Sequence, residues 1–176
     1  MIIFLIYIST PVEQTKIKKE DIKTEEVQLH VQTNKNDLCR LVNQFISEQP
    51  KDPIHYQVSL DEYVHLTGQL SMFNQKLQMK LTFEPKVLET GDLLLQYKKM
   101  SIGRLHLPAS LVLKFVAEQY RFPEWIMIQT EDESVYVQLQ NMKLKSGLIV
   151  KANEFDLSKD KISFKLLVPI KNGAPQ

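Results

Sequence analysis

Cysteine, glycine and charge imbalance are scarce in this chain, and each scarcity removes a class of protein. Cys39 is the only cysteine, so a disulfide framework within the chain is excluded. At 176 residues none is needed, because a single domain of this size buries roughly 70% of its unfolded surface without bridges or metal. Five glycines leave little material for a phosphate-binding loop, and no G-x-G-x-x-G or P-loop pattern occurs. Lys and Arg number 22 against 21 Asp and Glu. No net field therefore draws in nucleic acid or an anionic membrane, and nucleic acid is not an expected partner.

Long apolar runs are missing too. Met1–Ile8, MIIFLIYI, is wholly apolar, but a helix needs about 20 residues to cross a bilayer. No basic stretch precedes it, as a signal peptide would require. Two readings fit: a buried first strand, or the outer end of a membrane anchor whose upstream part is missing from this chain. The abrupt change to Glu13–Asp21, all polar but for Ile17, favours the anchor. Residues 1–26 then read as an anchor remnant with a polar tether, 27–171 as one domain and 172–176 as a disordered tail. Lys16, Lys18 and Lys19 are offset by Glu20, Asp21, Glu25 and Glu26, so a polybasic lipid patch is not expected.

Catalytic patterns are equally thin. His30, His55, His65 and His106 each take the opposite parity to the apolar residues of their runs, which predicts side chains turned to solvent. No HExxH, C-x-x-C or G-x-S-x-G spacing occurs. Glu131–Glu133 lacks the alternating ligands and central glycine of a calcium loop. The expectation is no catalytic residue, no metal and no cofactor: not an enzyme.

What the chain does have is alternation. Leu70 and Met72, then Leu77, Met79, Leu81 and Phe83, then Leu93, Leu95 and Tyr97 place apolar residues at every second position. Alternation of that length predicts antiparallel strands buried on one face. Further strands are expected around Val27–Val31, Tyr56–Leu60, Ile126–Ile128, Val135–Leu139, Met142–Leu144, Leu148–Val150 and Ile162–Val168, with Glu84–Pro85 closing the run before it. Two stretches change period: Leu38, Leu41, Val42, Phe45 and Ile46, and later Leu111, Val112, Phe115 and Val116. Both fit amphipathic helices, the first capped by Thr33 and the second begun by Pro108. Cys39 falls near the first stripe as a small core residue. The fold expected is α+β: antiparallel β-meanders wrapped against two amphipathic helices, about 36–48 and 108–120, with no βαβ unit.

Met72, Met79, Met100, Met127 and Met142 all fall in the meanders. Methionine adapts to irregular contents, so this face is either a packed core or the lining of a groove for an acyl chain or similar apolar ligand. If it is a groove, its lining is Met72, Met79, Met100, Leu111, Phe115 and Trp125. The first expectation is a non-catalytic, membrane-tethered domain that binds a lipid or other apolar ligand. The other is a structural or protein-interaction module with a fully packed core.

Several short strings add to this. They are Val31–Lys35 ahead of the first helix, Phe73, Phe83-Glu84-Pro85, Gly91-Asp92-Leu93, Met100–Gly103 with Leu107-Pro108, and Phe155-Asp156-Leu157. In that order they resemble the YpmS-like family, DUF2140, of Gram-positive bacteria, over about Val27–Pro169. The resemblance implies a single-pass anchor in the cell membrane with the domain on its extracellular side and no established biochemical activity. The element order alone is also similar to the tubular lipid-binding (TULIP) modules, which carries over no residue.

Overall fold

Two antiparallel sheets and two helices account for the regular structure of a computed structural model that describes residues 25–48, 56–72, 75–103, 108–119, 122–142, 144 and 147–170. The Met1–Ile8 run and most of its tether, His55, His106 and the tail from 172 lie outside these residues. In chain order the elements are β1 (Glu25–Thr33), α1 (Lys35–Glu48), β2 (Tyr56–Leu60), β3 (Val64–Met72), β4 (Gln75–Val87) and β5 (Leu93–Ile102), then α2 (Ala109–Gln119), β6 (Ile126–Gln129), β7 (Ser134–Val137), a 3-10 turn (Leu139–Asn141), β8 (Ile149–Asp156) and β9 (Lys161–Ile170). This is the expected α+β fold, and both helices lie within a residue of the expected bounds.

The strands divide into a six-stranded sheet, β2-β3-β4-β5-β7-β6, and a three-stranded sheet, β1-β9-β8. The first and last strands therefore pair, Val27 opposite Val168 and Val31 opposite Phe164. Alternation alone does not reveal that closure, because it is a contact between the two ends of the chain.

Two β-bulges explain where the alternation changes parity. Phe83 pairs with Tyr97 but Thr82 with Lys99, leaving Lys98 as the extra residue. The inward positions of β5 thus pass from Leu93 to Met100 and Ile102, all buried. Asn153 plays the same part in β8, between Ala152 opposite Phe164 and Glu154 opposite Ser163. In each strand the bulge is marked by two adjacent exposed polar residues, Lys98-Lys99 and Asn153-Glu154, the local break that a bulge imposes on a pleat.

Other local expectations are revised. Asn34, not Thr33, caps α1: its side-chain oxygen accepts from the Asp37 N–H at 2.9 Å, and its amide donates to the Asp37 carboxylate at 2.8 Å. Thr33 is still strand. Pro85 does not end β4, which runs to Val87. The β3 ladder stops at Val64–Phe83, so Pro85 lies where one flank has no strand to receive an N–H. Met142 and Leu144 follow the 3-10 turn and are not strand.

One core joins the two sheets. Val64, Met79, Leu81, Phe83, Met100 and Ile102 of the large sheet pack with Val112, Leu113 and Val116 of α2, and with Leu157 and Ile162 beside the small sheet. The seam is tightened by the Thr90-Gly91-Asp92 turn. The Ala152 N–H of β8 donates to the Gly91 carbonyl at 2.7 Å. Gly91 has φ +88°, and a Cβ there would lie 2.7 Å from Cβ of Lys151, so only glycine lets the turn reach the strand. Asp92, itself buried, accepts from the Thr90 hydroxyl at 3.0 Å and the Tyr136 hydroxyl at 2.9 Å. The bond to the Asp92 carboxylate holds the Tyr136 hydroxyl's pKa above its usual value. A buried carboxylate supplied with donors in this way is a structural clamp.

Candidate functional site

The place where the expected lining residues can be tested is the seat of α2. Its floor is made by alternate residues of β4 and β5. Met79 stands opposite Gly68 on one side and Ile102 on the other. Met100 stands opposite Leu81. Both methionines are almost fully covered, 4% and 3% exposed.

Val112, Leu113 and Val116 of α2 close over this floor, each buried. At 100° per residue these three centre the buried stripe near residue 116, and Leu111 falls well off it. The stripe is accordingly turned by about one residue from the sequence expectation. Leu111 is 57% exposed, while Phe115 on the flank is half-buried and packs against the core. Leu113 is the residue that sequence reading missed; it breaks the i, i+3, i+4 count, and only its position beside Val112 hints at it.

Trp125 is half-buried and lies against Phe45 of α1, ring centroids 6.0 Å apart. It joins α1 to the start of β6. Met72 closes β3 opposite Gln75, and its side chain lies outside the described ones. The structure therefore brings Met79, Met100 and Phe115 into one cluster, leaves Leu111 exposed and sets the half-buried Trp125 against α1 instead.

What secures α2 differs from what secures the rest. Among the described side chains of Ser110–Glu118, no hydrogen bond or ion pair reaches another element. The seat is apolar throughout. Two open clefts lie elsewhere. One of about 380 Å³ is walled by Gln28, Leu88, Gly91, Lys151 and Lys165. The other, of about 530 Å³, is walled by Glu62, Tyr63, Glu84, Asp156 and Ser158. Neither is lined by any of the expected residues. Two acidic side chains of the second are engaged: Glu84 with Lys98 at 2.9 Å and Asp156 with Lys159 at 3.0 Å. The Lys98 ammonium beside Glu84 holds that carboxyl below its usual pKa. Among the described residues no group of three His, Cys, Asp or Glu is placed to hold a metal.

One histidine departs from expectation. His65 is buried, with Nδ1 3.0 Å from the Thr82 hydroxyl and Nε2 2.7 Å from the Asp61 carboxylate. Parity puts it on the outer face as expected, but the Asp61–Tyr63 turn covers it, with the Tyr63 ring 6.5 Å away. Asp61 also accepts from the Tyr63 N–H, and that bond, ahead of the contact with His65, lowers its pKa. A hydroxyl, an imidazole and a carboxylate in line resemble an acyl-transfer relay. Such a relay also needs N–H donors converging beside the hydroxyl, and no described hydrogen bond brings a backbone N–H to the Thr82 hydroxyl, whose contact is His65. The arrangement satisfies both ring nitrogens of a buried histidine.

An antiparallel α+β domain with a helix resting on an apolar meander is the class these features define. The chain belongs to the DUF2140 family, described as uncharacterized protein conserved in bacteria, whose model matches residues 1–168. It is 31% identical over 166 residues to the uncharacterized protein YpmS of Bacillus subtilis (strain 168), covering 94% of this chain and 88% of that protein. No solved structure matches.

Proposed function

We propose that this chain is a non-catalytic domain that binds a lipid or another apolar ligand beneath α2, displayed on the extracellular side of the cell membrane by an N-terminal tether. The observation that carries the proposal is the seat of α2. A helix whose described side chains make only apolar contacts with other elements, over a floor of two methionines and with Phe115 at its rim, can move aside without breaking a described side-chain hydrogen bond. An acyl chain could then replace the contacts the helix gives up. The tether rests on the apolar Met1–Ile8 run, which the family match takes in. Among the described residues no helix is long and apolar enough to cross a membrane.

The test is native mass spectrometry of the full chain after incubation with vesicles of bacterial phospholipid. A lipid retained in defined ratio is expected, and Phe115→Asp should abolish retention while leaving the circular dichroism spectrum unchanged. A clean apo mass under all conditions would sink the lipid reading.

A second reading is favoured by a specific observation: Met79 and Met100 are packed, not lining open space. A domain with that core can instead serve as an interaction module of the cell envelope, using its surface. Retention of lipid by the wild-type chain separates the two.

A further inference from the structure

An exposed strand edge is a template for another strand, and folded proteins shorten it, cover it or charge it. The two sheets here have four outer strands: β2 and β6, β1 and β8. The edge of β2 is covered by α1, whose Asn43 amide donates to the Val58 carbonyl at 2.7 Å and accepts from the Val58 N–H at 2.8 Å. β8 gives its Ala152 N–H to Gly91. β6 has only four residues.

Beyond the two glutamates that open it, β1 has none of these protections. It is nine residues long, EEVQLHVQT, without proline or lysine, and its pairing with β9 runs unbroken by a bulge. Residues 26–32 are all exposed, including Val27, Leu29 and Val31 at 40% or more. No described residue bonds to its free side.

We infer that β1 pairs antiparallel with β1 of a second copy of this chain, joining two three-stranded sheets into one across a twofold axis at Leu29. The strand is self-complementary about that residue. Leu29 meets Leu29 of the second copy, and Val27 meets its Val31, so all three apolar side chains fall on one continuous face. Gln28 meets His30 and Glu26 meets Gln32, so no like charges oppose. Shifting the pairing by one residue would set apolar against polar faces. A shift by two would leave one apolar residue of each strand without an apolar partner. Such an isologous interface closes with two subunits and uses up the unpaired edge of both. This dimer is independent of whether a lipid binds beneath α2.

The experiment is sedimentation equilibrium of the full chain, joined to disulfide trapping in a Cys39→Ser background. A concentration-dependent dimer is expected, and Leu29→Lys should raise its dissociation constant by about tenfold or more, because like charges directly opposite destabilise a strand pair. Opposed residues in such a pair have Cα atoms about 4.5–5.5 Å apart, within disulfide reach. Leu29→Cys should therefore crosslink with itself. Val27→Cys should crosslink only when mixed with Val31→Cys. Leu29 is about half exposed, 48%, so the cysteine variant keeps the fold. A chain that stays monomeric overturns the proposal. So does a monomer in which the β1 amides that face away from β9 resist hydrogen exchange, which would mean that another part of the same chain occupies the edge. Trapping at residue 27 alone as efficient as at residue 29 would refute the register.

Discussion

The two helices reach the same core by opposite means. α1 has no fully buried residue. It is fastened instead by directional bonds: the Asn43 amide on Val58, the Lys35 N–H to the Asp160 carboxylate at 2.7 Å, and the Lys35 ammonium to the Leu157 carbonyl at 3.0 Å. α2 buries Val112, Leu113 and Val116, and its described side chains make no polar tie to another element. A fully buried aliphatic side chain contributes about 1.5–3 kcal/mol and a hydrogen bond about 0.5–1.5 kcal/mol net. The helix with the more deeply buried face is thus the one without geometric specificity. α1 is fixed in place by atoms that must align, while α2 is held by area, which a ligand of similar character can replace.

The largest effect that would sharpen this contrast comes from α2. Leu113→Ala removes a side chain that is 1% exposed and should cost about 2–5 kcal/mol in chemical denaturation. Leu41→Ala on α1, where the residue is 53% exposed, should stay within about 0.5 kcal/mol. Comparable losses for the two would erase the distinction. Next in size is Asn43→Ala, which strips both polar groups of Val58 of their partner and should cost about 1–3 kcal/mol. Hydrogen exchange in that variant should rise in α1 and β2 and leave α2 unchanged. Lipid vesicles should do the reverse, raising exchange in α2 alone. If α2 and α1 open together in both experiments, they belong to one cooperative unit and α2 is not a separate lid.

Strands and helices were legible in the sequence because each is a local repeat. Met79, Leu81 and Phe83 announce the pleat of β4, and Val112 with Val116 announces α2. The closure of β1 on β9 was not legible, since Val27 and Val168 carry no mark of each other. The bulges were half legible: Lys98-Lys99 and Asn153-Glu154 are doubled polar residues in alternating runs, though only the pairing shows that parity changes there. The burial of His65 was hidden because its cover is the neighbouring turn at Asp61–Tyr63, and alternation reports the face of a sheet but not what lies on it. Met79 lies on the inward face its alternation announces, whereas Met100 does so only because the bulge at Lys98 changes the parity of β5. Leu111 was misjudged as part of the buried stripe because Leu113 shifts that stripe around the helix.

Acid should separate the helices with the smallest effect. The N-terminus of α1 rests on the turn after β8, which is organised by Asp156: that carboxylate accepts from the Ser158 hydroxyl at 2.6 Å and the Lys159 N–H at 3.0 Å. The Ser158 bond first, then those of Lys159, hold its pKa far below the ordinary carboxylate range. A carboxyl whose folded pKa lies below its unfolded one stabilises fully above the unfolded value and loses that contribution as pH falls toward the folded one. The turn should therefore loosen only as pH drops below about 4, where a free aspartate begins to take its proton, and α1 should loosen with it. No described carboxylate fastens α2, so its seat has no equivalent titration. Exchange measured from neutral pH down through that window, after correction for intrinsic rates, should rise at the start of α1 before α2. Asp156→Asn should flatten the α1 profile. An α2 that loosens first would mean that charge, not apolar area, sets its hold.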